Sequence, residues 1–252
     1  MPNSLLKSGR TIFAGDIVAE YWMPKKASGR AVIICDGAPS VPSKKKLAEF
    51  FARKGYWVFH MRYRGTWESR GEFLKKSPVR DVEDVVTGLP LGFTDVYTGT
   101  TYYLDIREVV LVGASFAGPA VILGSRMPEV TKSIAIAPVV DFRVETKEEP
   151  FAVFVHQLTN GFPGAYRTEK KNFKKLLTKQ FYSPVDLAHL IDGKKLFLIH
   201  ACDDPSVSYK PTKALAKKTH ATYVEYKKGG HLSSSLVMDK VLWRRIEAFL
   251  KH

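Results

Sequence analysis

From Arg30 onward the chain alternates apolar runs of strand length with segments of helical periodicity. RAVIIC precedes SKKKLAEFFARKG, YWVFHM precedes SPVRDVEDVVTGL, and REVVLVG precedes FAGPAVILGSR. KKLFLIHA likewise precedes KPTKALAKKTH, with KSIAIAP and ATYVEYKK as further strands. Continuous apolar runs read as strands buried on both faces. Alternating with helices, they require a mostly parallel sheet covered on both sides. Such sheets place their chemistry in loops at the carboxyl ends of the strands.

Local signals refine this plan. TIFAGDIVAEYWMP reads as an antiparallel hairpin turning at Gly15–Asp16. Gly55 stands where the first helix stops, and Ser77 with Pro78 reads as an N-cap and first helical residue. SLVMDKVLWRRIEAFLKH predicts one closing amphipathic helix, with Leu236, Val237, Val241, Leu242, Ile246, Phe249 and Leu250 on one side.

A chain of 252 residues, 45% of them hydrophobic, suits one large α/β domain or two small ones. The longest uncharged run, VVLVGASFAGPAVILG (109–124), is broken by glycine, serine and proline. It falls short of the roughly 20 apolar residues of a spanning helix. MPNSLLKSGR lacks the apolar stretch of a signal peptide, so a soluble, cytoplasmic protein with no membrane partner is expected. Two cysteines, Cys35 and Cys202, make no disulfide framework or metal cluster and read as small core filler. No metal and no cofactor is expected. The formal charge of +14 comes from scattered lysine pairs and one triplet, which read as solvated helix faces and turn rims. No nucleic-acid motif accompanies them, and the sequence leaves a homo-oligomer open.

The serine inside the uncharged run is the chemical signal. GASFAG joins a strand to a helix with the pattern Gly113-x-Ser115-x-Ala117-Gly118, a variant of the nucleophile elbow. A sharp strand-to-helix turn strains the serine backbone, so the neighbours two positions away must be small. A serine hydroxyl needs a base. Of the seven histidines, His60 and His200 lie in or at the end of apolar strands and read as core, His220 precedes a strand, and His252 is terminal. His231 alone follows the last strand in a glycine-rich loop, KKGGHLSS. A carboxylate should orient it. Asp203 and Asp204 end the strand of KKLFLIHACDD, and Asp141 lies one strand earlier.

With these residues in place, the sequence resembles the α/β-hydrolase superfamily along nearly its whole length. It is most similar to small esterases and to the dienelactone-hydrolase and prolyl-peptidase-like branches. ICDGAP matches the oxyanion loop, MRYRGTWESRG the loop after the fourth strand, GASFAG the elbow, and GGH the histidine loop. The resemblance implies the fold of that superfamily, with a triad of Ser115, Asp204 and His231. The family frame HG-x-x-D-x-x-V selects Asp204, with Ala201 in the glycine place and Val207 in step. It implies oxyanion donors at the backbone amides of Phe116 and Ala38. Asp36 replaces the histidine that often precedes the oxyanion-loop glycine, and Trp67 replaces a glycine in the fourth-strand loop.

Residues 143–180 differ in character from the core of 1–142 and 181–252, mixing ETKEE, aromatics and KKNFKKLLTK. A segment this long predicts helices of its own, and the resemblance makes it a cap over the active site rather than a surface excursion. Trp67, Phe151 and Phe154 are expected in the substrate pocket, and nucleophile, base and oxyanion donors are all expected outside the insertion. The expected partner is a small-molecule carboxylic ester with an apolar acyl or aryl group, cleaved through an acyl-enzyme. The alternatives are a prolyl-peptidase-like peptidase or amidase, and a binding protein on the same fold. Against the peptidase, no acidic pair for a substrate amino terminus is evident in the sequence.

Overall fold

The computed structural model describes residues 6–26 and 28–251. The first five residues of the N-terminal segment, Ala27 and the terminal His252 lie outside the described residues. Strands β1 (Ser8–Phe13) and β2 (Ile17–Trp22) form the expected antiparallel hairpin. Its turn is Ala14–Gly15, one residue earlier than expected, with φ of 48° and 74°. Asp16 N–H closes it on the Phe13 carbonyl at 3.1 Å. Phe13 pairs with Ile17, so the connection has three residues, Ala14 to Asp16, a common hairpin length.

The alternating part follows in chain order: β3 (Arg30–Cys35), α1 (Lys45–Arg53), β4 (Trp57–Met61) and α2 (Pro78–Gly88). A short hairpin, β5 (Phe93–Thr94) and β6 (Thr101–Tyr102), precedes β7 (Glu108–Ala114), α3 (Ala117–Gly124) and β8 (Val130–Ile136). The segment after β8 carries α4 (Phe151–His156) and α5 (Lys170–Phe173). Then come β9 (Leu196–Ala201), α6 (Tyr209–Thr219), β10 (Thr222–Tyr226) and α7 (Lys240–Lys251). The main sheet has the order β1-β2-β4-β3-β7-β8-β9-β10. The pairings of β1 with β2 and β2 with β4 are antiparallel, and the rest are parallel. This is the mostly parallel α/β architecture that the alternation requires.

Side chains alternate across the strands, and each strand feeds two cores. Ile33, Phe59 and Leu111 face Val82, Val85 and Val121 from α2 and α3. Their neighbours Ile34, Val58 and Val112 face Phe51 of α1 and Trp243 and Ile246 of α7. Helices therefore cover both faces. The chain order reverses at β3, which lies between β4 and β7, and ligand crevices form at such switch points. Parallel register pairs Cys35 with Gly113, so the loops after β3 and β7 emerge side by side.

Ser77 is the N-cap of α2 and Pro78 its first residue, as expected, although the Ser77 hydroxyl makes no cap bond and has no hydrogen-bond partner among the described residues. One local expectation is corrected. The closing helix is not continuous: a 3-10 turn, Ser234–Met238, precedes Asp239, whose carboxylate accepts the amides of Val241 and Leu242. That cap restarts the helix and resets its phase, leaving Val241 71% exposed and burying Trp243. Cys35 is buried, but Cys202 is only half-buried. No helix of the described residues is long and apolar enough to cross a membrane.

Candidate active site

Ser115 occupies the turn between β7 and α3 with φ of 55°. Positive φ is uncommon for a residue with a Cβ and is held only where surrounding structure enforces it. The restraints are visible. Ser115 N–H donates to the Ile136 carbonyl at 2.9 Å, while its own carbonyl accepts from Gly118 and Val139. The small-residue pattern has a steric cause. A Cβ on Gly113 would lie 2.8 Å from the Ala117 Cβ, so the bare glycine is what allows alanine at the second small position. A Cβ on Gly118 would meet Pro138 at 2.2 Å. Gly118→Ala is therefore expected to destabilise the fold by about 1–3 kcal/mol through overpacking. Thermal unfolding should show a Tm lowered by roughly 2–4 °C per kcal/mol; an unchanged Tm would mean that α3 can slide away from Pro138.

Asp204 and His231 come from the loops after the neighbouring strands β9 and β10. Asp204 Oδ2 accepts from His231 Nδ1 at 2.8 Å, with the carboxylate fully buried and the imidazole side chain 31% exposed. Asp204 Oδ1 accepts from the amides of Ser206 and Val207, both at 2.9 Å. Its Oδ2 also lies 3.2 Å from His200 Nε2. Burial pushes this carboxyl's pKa up, but the hydrogen bonds from His200, His231 and the Val207 amide outweigh it and hold the group well below the usual carboxylate range. Asp203 serves the loop instead. Its carboxylate accepts the amides of Gly229 and Gly230 at 2.8 and 2.9 Å and so fixes the segment carrying His231. Asp141 is bound by Arg143, Nε to Oδ1 at 2.6 Å.

Ser115 opens into a cleft of about 580 Å³, counted with the open solvent at its mouth. Ala38 and Phe116 line it beside the serine, and the amides of these two residues donate no hydrogen bond within the described residues. Ser206 and Val207, the residues that bind the acid, also face it. The wall is aromatic: Phe154 stacks on Phe116 at 6.1 Å and lies 5.8 Å from Phe142, and Phe151 completes the lining. Residues 143–180 thus supply Phe151 and Phe154 to the cleft lining. Trp67 does not line the cleft; its ring packs against Phe162 at 6.3 Å and its amide donates to the Ala165 carbonyl.

Several functional contacts were not visible in the sequence. The cleft's charged lining is Asp141, Glu145 and Glu149, all acidic, on a chain whose formal charge is +14. The insertion also reaches the loop after β3: Tyr166 Oη accepts from Ser40 N–H at 2.9 Å. No composition signal marks Tyr166. His200 is not inert core. Its Nδ1 lies 3.0 Å from Thr212 Oγ1, and its Nε2 faces both Asp204 and the Val207 carbonyl at 3.1 Å.

No protein-family model and no curated protein matches the chain. Solved structures do. A Pyrococcus furiosus esterase superposes with a TM-score of 0.68 at 18% identity, covering 98% of this chain and 90% of that one. Acetyl xylan esterase 1 from Thermoanaerobacterium sp. gives 0.66 at 15%, covering 100% and 85%. The acylaminoacyl peptidase of Pyrococcus horikoshii gives 0.64 at 16%, covering 98% of this chain and 40% of the longer peptidase. The chain has the α/β-hydrolase fold.

Proposed function

We propose that this chain of α/β-hydrolase fold is a serine hydrolase that cleaves carboxylic esters through a covalent acyl-enzyme. The observation that carries the proposal is the 2.8 Å bond from His231 to the buried Asp204 carboxylate, whose other partners Ser206 and Val207 line the cleft of Ser115, the serine held at φ of 55°. In this reading Ser115 Oγ attacks the ester carbonyl as His231 takes its proton. The tetrahedral oxyanion is received by the amides of Phe116 and Ala38. Collapse expels the alcohol, which takes the proton from His231, and water attacks the acyl-enzyme by the same route in reverse. Asp204 holds Nδ1–H of the imidazole, leaving Nε2 to work as base. Residues 143–180 act as the cap, with Phe151 and Phe154 against the acyl group.

The lining sharpens the substrate. An apolar wall with carboxylates at Glu145 and Glu149, beside Asp141 paired with Arg143, suits a neutral or cationic substrate and opposes an anionic one. A p-nitrophenyl ester series is the test. Butyrate should be hydrolysed faster than the hemisuccinate by about tenfold or more in kcat/KM, since one like-charge contact at about 1.4 kcal/mol gives that factor. Added salt should narrow the difference. Equal rates for the two esters would remove the charge argument, and no hydrolysis of any ester would remove the esterase proposal. Glu145 and Glu149 also favour a second reading, an amidase acting beside a free amino group. Faster turnover of aminoacyl nitroanilides than of esters would select it.

A further inference from the structure

An ionic chain, buried at His60, Arg62 and Asp36 and exposed at its outer end, runs from the sheet edge to the loop after β3 and is not used by the triad. His60 is fully buried in β4, with Nε2 2.8 Å from Asp36 Oδ2 and Nδ1 3.0 Å from Arg62 Nη1. Arg62, with 2% of its side chain exposed, donates through Nη2 to Glu20 Oε2 at 2.9 Å, and its Nε lies 3.5 Å from Glu68. Arg10 joins Glu20 and Glu68 from the outside, and Lys44 faces Asp36 at 3.7 Å. We infer that His60, as a neutral imidazole protonated on Nε2, is a positioning residue that holds Asp36 and with it the oxyanion loop. The inference rests on the hydrolase reading above.

The tautomer follows from the neighbours. A guanidinium has only donors, so Nδ1 at 3.0 Å from Arg62 must accept. Glu20 Oε2, at 3.5 Å from the same nitrogen, is too far to claim a proton there. Nε2 then carries the hydrogen, which is what a carboxylate needs. The charges agree: Asp36, Glu20 and Glu68 oppose Lys44, Arg62 and Arg10, and the set balances with the imidazole uncharged.

The link to the loop is short. Asp36 directly follows β3, and Ala38, which lines the cleft, is two residues on. Gly37 is pressed on the elbow, where a Cβ would stand 3.2 Å from the Ala114 carbonyl and 3.6 Å from Ser115 Cβ. Ser40 Oγ donates to the Gly37 carbonyl at 2.8 Å, and Tyr166 holds Ser40 from the insertion. The loop is thus fastened at Asp36 from β4 and at Ser40 from residues 143–180. Stability alone does not call for such a chain, since apolar residues of similar volume often serve a core as well as a buried ion pair does.

The tautomer and the kinetics test the two halves separately. In ¹⁵N-labelled protein, His60 should show one protonated nitrogen, Nε2; a proton on Nδ1 would overturn the inference whatever the enzyme does. With p-nitrophenyl butyrate, His60→Leu should lower kcat by about 10²-fold, the scale of a 1 Å misplacement. KM should stay within about threefold, because uniform binding is untouched. The inhibition constant of phenylboronic acid, whose adduct with Ser115 mimics the tetrahedral intermediate, should rise by a similar factor. His60→Gln, which keeps an N–H donor toward Asp36, should recover most of the rate. If His60→Leu does not fold, Asp36→Ser breaks the same contact from the loop side. An unchanged kcat in either folded variant, or a loss confined to KM, would overturn the positioning role. Ser115→Ala in the same assay separates the two proposals: wild-type turnover there defeats the hydrolase reading and leaves the tautomer result standing.

Discussion

Ser115→Ala is expected to lower kcat by about 10⁶-fold and to abolish labelling by a fluorophosphonate. Such reagents react quickly only with a base-activated hydroxyl, and Ser115 is the hydroxyl held by the elbow at the cleft whose wall carries Ser206 and Val207, the two residues bound to Asp204. The loss should appear with no matching change in stability, because alanine at 115 keeps the Cβ and hence the cost of φ 55°. Ser115→Gly should be equally inactive yet free of that Cβ cost, since glycine adopts positive φ without collision. Comparing the two variants by thermal unfolding therefore reads the backbone strain independently of the chemistry. Labelling that survives in Ser115→Ala would move the nucleophile elsewhere and defeat the assignment.

The fold was legible because its strands are apolar on both faces. VVLVG and LFLIHA have no polar alternation to mislead, and helices such as KKLAEFFAR carry a 3.6-residue period. The elbow was legible for a related reason, since a strained turn demands small residues at fixed offsets and those are sequence marks. What escaped was decided by partners distant in the chain. Phase is one case: the Asp239 cap restarts α7, so Val241 faces solvent although its spacing fits the apolar stripe. Trp67 is another. It follows the loop motif into position, but its φ of 47° and its contact with Phe162 keep it out of the cleft lining. ETKEE reads as an ordinary solvated charge run, and only folding of the insertion brings Glu145 and Glu149 to the cleft. Buried polar partners are the hardest case. His60 and His200 sit in apolar strands as core residues would, yet Asp36 is 24 positions from the first and Thr212 is 12 from the second. Tyr166 of the insertion also fastens Ser40, so excising 143–180 would disturb the loop after β3 as well as the cleft wall.

Asp204→Asn is expected to cost up to about 10⁴-fold in turnover, the scale found when the orienting carboxylate of a serine protease is replaced by its amide. Hydrogen bonding explains why the amide fails here. The Asp204 carboxylate takes four donors: Ser206 and Val207 amides on Oδ1, His231 and His200 on Oδ2. Asparagine has one oxygen and one NH₂. With the oxygen left on the two amides, the NH₂ donates to His231 Nδ1 and puts the proton on Nε2, where the base function is lost. With the amide flipped, the NH₂ faces two backbone N–H groups. Asp203→Asn should retain most activity, because its oxygen can still accept the Gly229 and Gly230 amides. Asp141→Asn should do so too, since its carboxylate is engaged by Arg143 rather than by His231. Stability adds a second signature. A carboxyl held below its unfolded value contributes stability that is present above that value and lost as pH falls through the folded one. The gap in unfolding free energy between wild type and Asp204→Asn should therefore persist at neutral pH and close below about pH 4, the ordinary range of an unfolded aspartate. Turnover in folded variants that collapses at Asp203 or Asp141 while Asp204→Asn stays near normal would transfer the acid to that residue.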